Sequence, residues 1–178
     1  EEIAHLGGIY LPAEEGTGSL SADIAFEHFP LNVANPFVPD RMVELDGDIV
    51  GTLSMKGDPA KPLLNGELAL DSVTFFMSEM SAMFRFDNEP VQVVNSKMMF
   101  KEFDIFTKGK TPFTINGEVD FSDLERTAVN LKMHAENYEL LNAPRTKRAM
   151  VYGKMYVDFN ATLRGPVEEL VMRGNMNI

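Results

Sequence analysis

The stretch Val43-Glu44-Leu45-Asp46-Gly47-Asp48-Ile49-Val50-Gly51-Thr52-Leu53-Ser54-Met55-Lys56-Gly57 decides the fold class. Every odd position is apolar or glycine, while the even positions are mostly polar: Glu44, Asp46, Asp48, Thr52, Ser54 and Lys56. Side chains that alternate with period two belong to an extended strand with one dry face and one wet face. The pattern returns at Val151, Gly153, Met155, Val157, Phe159, Ala161, Leu163 and Gly165, with Tyr152, Lys154, Tyr156, Asp158, Asn160, Thr162 and Arg164 opposite. Shorter alternations cover 20–26, 64–70, 115–121, 129–135 and 170–178. Helical periodicity is nearly absent, and its best candidate is a turn or two over 30–37, bounded by Pro30 and Pro36, with plain loop as the alternative. The expectation is an all-β sheet of about ten or eleven strands.

Between Val73 and Phe106 the chain is apolar but harder to phase. Val73-Thr74-Phe75-Phe76-Met77 and Val91-Gln92-Val93-Val94 put bulky residues on both faces, as strands covered on both sides do. Parity flips at Lys101-Glu102, between Met98/Phe100 and Phe103/Ile105, which predicts a β-bulge. Turn residues punctuate the chain at Gly57-Asp58-Pro59 with Pro62, Asn88-Glu89-Pro90, Lys108-Gly109-Lys110 with Pro112, and Asn142-Ala143-Pro144. No composition shift marks a second domain, so 1–178 reads as a single β-rich unit.

The chain resembles itself at an offset of 108 residues, 43–70 against 151–178. Val43 falls on Val151, Met55 on Leu163, Gly57 on Gly165, Leu64 on Met172, Gly66 on Gly174, Leu68 on Met176 and Leu70 on Ile178. Repeated β units bury against their neighbours the apolar face that none can bury alone. The expectation is therefore an elongated sheet, and this chain reads as a fragment of a longer repeating one whose terminal edges promote self-association.

Five segments share the form apolar-x-Gly-x-apolar: 45–49, 64–68, 115–119, 151–155 and 172–176. Asp46-Gly47, Asn65-Gly66 and Asn116-Gly117 are also favoured hairpin-turn pairs. A two-residue turn would pair Leu64 with Glu67 and Ile115 with Glu118, whereas a strand running straight through keeps the apolar residues together. Read this way, Gly47, Gly51, Gly66, Gly117, Gly153 and Gly174 lie on the dry face, where the sheet creases.

The 178 residues are 44% hydrophobic and 24% charged, which suits a folded core. A net charge of −11 and pI near 4.7, with no Lys/Arg run, argue against nucleic acid. With no cysteine, disulfides, thiolate metal sites and thiol nucleophiles are excluded. No apolar run approaches the ~20 residues of a spanning helix, and Glu1-Glu2-Ile3 is not the start of a signal peptide. His5, His28 and His134 are scattered, the carboxylates Asp46, Asp48, Glu67, Glu118 and Asp120 alternate with apolar residues as a solvated face does, and no phosphate loop or nucleophile elbow occurs. The expectation is a protein that is not an enzyme and carries no cofactor or metal.

The runs Pro36-Phe37-Val38-Pro39, Leu45-Asp46-Gly47-Asp48-Ile49-Val50-Gly51 and Leu53 through Leu68, with Val151-Tyr152-Gly153, Leu163-Arg164-Gly165 and Arg173-Gly174, resemble the C-terminal β-rich region of the TamB family, translocation and assembly module proteins of the AsmA-like group. The resemblance rests on glycine, proline and apolar spacing over about 32–178. It implies a long folded-over, taco-like β-sheet with an apolar interior, periplasmic in a protein anchored at the inner membrane. It further implies phospholipid transport to the outer membrane and an outer-membrane barrel protein as partner.

Side chains that would line such a hydrophobic groove are Ile49, Leu53 and Met55, with Leu68 and Leu70 on the next strand. Ile115, Val119 and Phe121, then Leu131 and Met133, follow. Met155, Val157, Phe159 and Leu163, with Met172 and Met176, complete the set. Ten strands at ~4.8 Å spacing span ~45 Å, and each acyl methylene removed from water gains ~0.8 kcal/mol. The 12 methionines suit an adaptable lining. Three alternatives stand beside this reading: an ordinary sandwich core, a chaperone-like module that receives a β-strand at an open edge, and a carbohydrate-binding sandwich. The absence of Trp and the presence of only four Tyr weaken the last.

Overall fold

The structure is a computed structural model and describes residues 3–12, 18–37, 43–59, 61–78, 82–143, 145 and 152–178. Glu1, Glu2, Val38, Pro39, Ala60, Pro144 and Val151, which the sequence reading used, lie outside these residues. The described strands are β1 (Ala4–Leu11), β2 (Ser19–Pro30), β3 (Val43–Gly57), β4 (Leu63–Met77), β5 (Ala82–Phe86), β6 (Val91–Val94), β7 (Lys97–Phe106), β8 (Phe113–Asp120), β9 (Ala128–Ala143), β10 (Gly153–Pro166) and β11 (Val171–Asn177). They form a single eleven-stranded antiparallel sheet in the order β1-β2-β3-β4-β5-β7-β8-β9-β10-β11. The short β6 pairs β4 and β7 beside β5, so β5 and β6 share one lane. A 3₁₀ helix at Leu31–Phe37 follows Pro30 and includes Pro36.

Register shows why the alternation holds a sheet together. Residues directly opposite on paired strands share a face. One such row runs Leu6, Ile24, Leu53, Gly66, Val93, Met98, Val119, Val129, Gly165, crossing nine strands without a polar residue. The outward rows are polar, as in Asp23, Ser54, Asn65 or Asn116, Lys132, Thr162, Arg173.

The sheet curls onto its apolar face. Phe75 of β4 and Phe84 of β5 stack at 4.5 Å with rings 8° from parallel. They enclose a cavity shared with Phe159 of β10 and Met176 of β11. Five lanes separate β4 from β10 and β5 from β11, a flat-sheet distance of roughly 24 Å. Only a folded-over sheet brings them together. Buried Ala82, Phe84, Val91, Phe103 and Ile105 form one core cluster, and Ala135, Tyr138 and Val157 a second; Phe113 packs on both.

Bulges supply the curvature. The one expected at Lys101-Glu102 is present: the β7–β8 register shifts between Phe100 and Phe103, and Glu102 has φ 49°. Another in β4 places Ser72 at φ 55° opposite the Asp46–Asp48 step, and β9 carries irregularities around Asn137 and Leu140.

Three expectations are corrected. The 73–106 stretch is not covered on both faces: Val91 and Val93 are buried while Val94, Met83 and Met99 are exposed. Its second apolar set, Met83, Val94 and Met99, stays exposed on the outer face, and the bulge at Ser72 only shifts parity between Leu70 and Val73. Asn142-Ala143 is not a turn, because β9 runs through both and Ala143 pairs with Gly153. Phe121 falls one residue beyond β8, where its backbone N–H donates to the Ser96 carbonyl instead of joining the ladder.

Candidate functional site

The inner face contains a cavity of about 310 Å³, at the lower end of the ~300–1,000 Å³ usual for ligand pockets. Phe75, Phe84 and Ile105 form one wall, Phe113, Ala135, Tyr138 and Leu140 the floor, and Val157, Phe159, Met172 and Met176 the opposite wall. The three Phe rings of β4, β5 and β8 come from positions where strand alternation aims large side chains inward. Met172 and Met176 remain 58% and 52% exposed. They sit on β11, at the end of the described sheet order, and border the cavity.

The cavity is apolar. Tyr138 is the one lining residue with a polar side-chain atom, and its buried hydroxyl makes no well-formed hydrogen bond, with only the Thr107 hydroxyl close enough to act on it. The neighbouring Thr107 hydroxyl donates to the Glu139 carbonyl. Burial pushes the Tyr138 phenol up to about 12, with Thr107 opposing. Next to it, Glu139 is buried at 8% exposure but fully engaged. The Tyr156 hydroxyl donates to its Oε2 at 2.9 Å, and the Asn142 amide donates to Oε1 at 2.9 Å. Hydrogen bonds from Asn142 and then Tyr156 hold the Glu139 carboxyl below its ordinary range. This knot fixes β9 to β10 behind the floor of the cavity.

All the strand-borne groove candidates share the inner face by register: Leu53 opposes Gly66, Met55 opposes Leu64, Ile115 opposes Met133, and Leu163 opposes both Leu131 and Met172. Of the sixteen proposed lining residues, Val157, Phe159, Met172 and Met176 border the cavity. Ile49, Leu53, Met55, Leu68, Leu70, Ile115, Val119, Leu131, Met133, Met155 and Leu163 lie elsewhere on the same face, and Phe121 borders a separate depression with Lys61 and Pro62. Phe75, Phe84, Ile105, Phe113, Ala135, Tyr138 and Leu140 were missed. Phe113 and Ala135 were reachable, since each extends by one step the parity of Ile115 and Met133. Leu140 carried no signal, because a bulge places it.

Gly51, Gly66, Gly117 and Gly174 run through their strands without turning, opposite Leu68, Leu53, Leu131 and Ala161. Gly47 faces the β4 bulge, and Gly153 opens β10 with nothing near its missing side chain. The histidines occupy β1, β2 and β9; His28 lies 3.7 Å from Asp48, and His134 Nδ1 lies 2.7 Å from Asn160 Oδ1. No protein-family model, curated protein or solved structure matches the chain.

Proposed function

We propose that the inner face shields acyl chains, as a periplasmic segment of a bridge that carries phospholipid from the inner to the outer membrane. The observation that supports this reading is the apolar cavity of about 310 Å³ bordered by methionines that stay exposed on β11. Water at an apolar wall is unfavourable, so a methylene chain entering there gains ~0.8 kcal/mol per buried CH₂. Methionine conforms to chains of varied shape. The uninterrupted apolar row across nine strands continues the same surface beyond the cavity. A surface of even polarity holds a chain without trapping it at one point. The role needs no catalysis and no cofactor, and the TamB-like glycine and proline spacing agrees with it.

Organic extraction of the purified protein followed by mass spectrometry tests the proposal. Phospholipid at near-stoichiometric amount is the expected result. A lipid-free preparation that also fails to bind a fluorescent phospholipid sinks it.

A second reading, a chaperone-like receptor for strands of outer-membrane proteins, is favoured by β1. Its sequence Ala4 to Leu11 lacks any Asp, Glu, Lys, Arg or Pro, the residues that usually block a free edge, and Leu6, Ile9 and Leu11 are all more than 60% exposed. Self-association through the same edge follows from the same chemistry. A peptide that pairs with β1 and protects its amides from exchange, in protein free of lipid, would support this role.

A further inference from the structure

The outer face carries two depressions that occupy equivalent places in the repeat. One is bordered by Thr52, Leu53, Ser54 and Asn65, the other by Asn160, Ala161, Thr162 and Arg173, the same positions 108 residues later. Their backbones agree in detail. Leu53 opposes Gly66 and Met55 opposes Leu64, just as Ala161 opposes Gly174 and Leu163 opposes Met172. The Ser54 hydroxyl donates to the Asn65 carbonyl at 3.3 Å, and the Thr162 hydroxyl to the Arg173 carbonyl at 3.4 Å. A β-carbon on Gly66 would meet the Thr52 carbonyl oxygen, and one on Gly174 the Asn160 carbonyl oxygen. The depression is thus a product of the repeated crease.

Its charge is not repeated. In the first copy Asp23 opposes Ser54, with Asn65 on the other side. In the second copy Lys132 opposes Thr162, with Arg173 on the other side, and Arg164 lies two residues along the same face. Neither Lys132, Arg164 nor Arg173 has a side-chain hydrogen bond or ion pair among the described residues. Glu102 stands at the rim, and Glu136 is engaged with His134 at 3.6 Å. Two unpartnered cations flanking one hydroxyl, with a third two residues along the same strand, are conspicuous in a chain of net charge −11, where carboxylates outnumber cations.

We infer that the depression around Thr162 binds a phosphoryl oxyanion. Lys132 and Arg173 flank Thr162 on adjoining strands, so their backbones lie roughly 10 Å apart, a span across which two long side chains converge on one anion. The guanidinium of Arg173 offers the forked donor pair that matches phosphate geometry, and Lys132 adds a point charge. The Asn116 and Asn160 amides border the same space of about 710 Å³. This site lies on the outer face and stands independently of the inner-face reading.

The test is titration of the intact isotope-labelled chain with inorganic phosphate and, separately, with glycerophosphoethanolamine, followed by amide chemical shifts. Saturable shifts are expected at Lys132, Thr162 and Arg173, with none at Ser54 and Asn65, which serve as an internal control. Arg173→Asn installs the residue that the first copy carries at this register and therefore preserves the fold. It should weaken binding at least tenfold, as should Lys132→Asp. Tighter binding of glycerophosphoethanolamine assigns a lipid headgroup as source, and tighter binding of phosphate assigns the free anion. Absence of shifts with both probes, equal shifts in the two depressions, or undiminished binding by Arg173→Asn overturns the inference.

Discussion

Gly51 on β3 and Gly66 on β4 are diagonal neighbours, and a β-carbon on either would press into the backbone of the other's strand. That of Gly51 would strike the Glu67 carbonyl oxygen, and that of Gly66 the Thr52 carbonyl oxygen. Both residues also have positive φ, 144° and 154°. The sheet is creased here because two strands approach where neither has a side chain.

Alanine at Gly51 should therefore cost more than alanine at Gly57, which also has positive φ, 104°, but has open space around its missing side chain. Backbone strain alone predicts a loss of about 1–3 kcal/mol at Gly57. Contact with a carbonyl that no rotamer change can relieve should raise the loss at Gly51 above that of Gly57. Urea denaturation of the two variants compares them directly. Equal losses would mean that conformation alone sets the requirement for glycine.

Tyr138→Phe should stabilise the protein by about 1 kcal/mol, because it removes a buried hydroxyl whose contact with Thr107 falls short of a well-formed hydrogen bond. The phenol is raised from an ordinary value of 10.0 to about 12 in the folded chain. Its contribution is therefore complete below pH 10 and is lost as pH rises from 10 toward 12, since the unfolded chain releases this proton first. Thermal melts across that range should fall less steeply for Tyr138→Phe than for the wild type. Identical slopes would place the Tyr138 hydroxyl in contact with water.

Much of this architecture was legible, and the illegible parts have a physical reason. The apolar-or-glycine row at the odd positions of 43–57 is unbroken and ends at Gly57-Asp58-Pro59, so β3 was read to its bounds. The register of β10 on β11 reproduces that of β3 on β4, as the paired glycines require. The β9 segment Glu136-Asn137-Tyr138-Glu139-Leu140 gave no warning of its irregularities, since Asn137 reaches φ 49° without a glycine. The partnership of Phe75 and Phe84 with Phe159 was equally hidden. Alternation assigns a face, but which strands meet across the fold depends on curvature accumulated over five lanes.

Acid stability should depend on Asp120. Hydrogen bonds from the Ser122 hydroxyl and backbone N–H, then from Lys97, lower its carboxyl from 3.8 to about 2. Lys97 Nζ lies 3.1 Å from Asp120 and 3.2 Å from Glu118, which ties β7 to the end of β8. A depressed carboxylate contributes fully above its ordinary pKa, and the contribution disappears as pH falls through the folded value. Asp120→Asn should lower stability at pH 5 and flatten the loss between pH 4 and pH 2. Parallel wild-type and variant profiles over that interval would show that the carboxylate does not titrate with the fold.

Phe159→Arg decides between an accessible groove and a closed core. Phe159 is only partly buried, packs on Phe113 at 5.8 Å between ring centroids, and lies directly opposite Met176, which is 52% exposed. An arginine here can bend its charged end past Met176 into water while its stem covers part of the vacated wall. The variant should fold with a moderate loss, about 1–3 kcal/mol, and should no longer bind a fluorescent phospholipid. Met99→Lys serves as the outer-face control: Met99 is exposed and opposes Gln92 and Glu118, so its replacement should change stability by less than about 0.5 kcal/mol and leave binding intact. If Phe159→Arg prevents folding while Met99→Lys does not, the charge has been driven into a sealed interior without a partner, and the inner face is a sandwich core. If Phe159→Arg folds and binds phospholipid as the wild type does, acyl chains do not use this wall of the cavity.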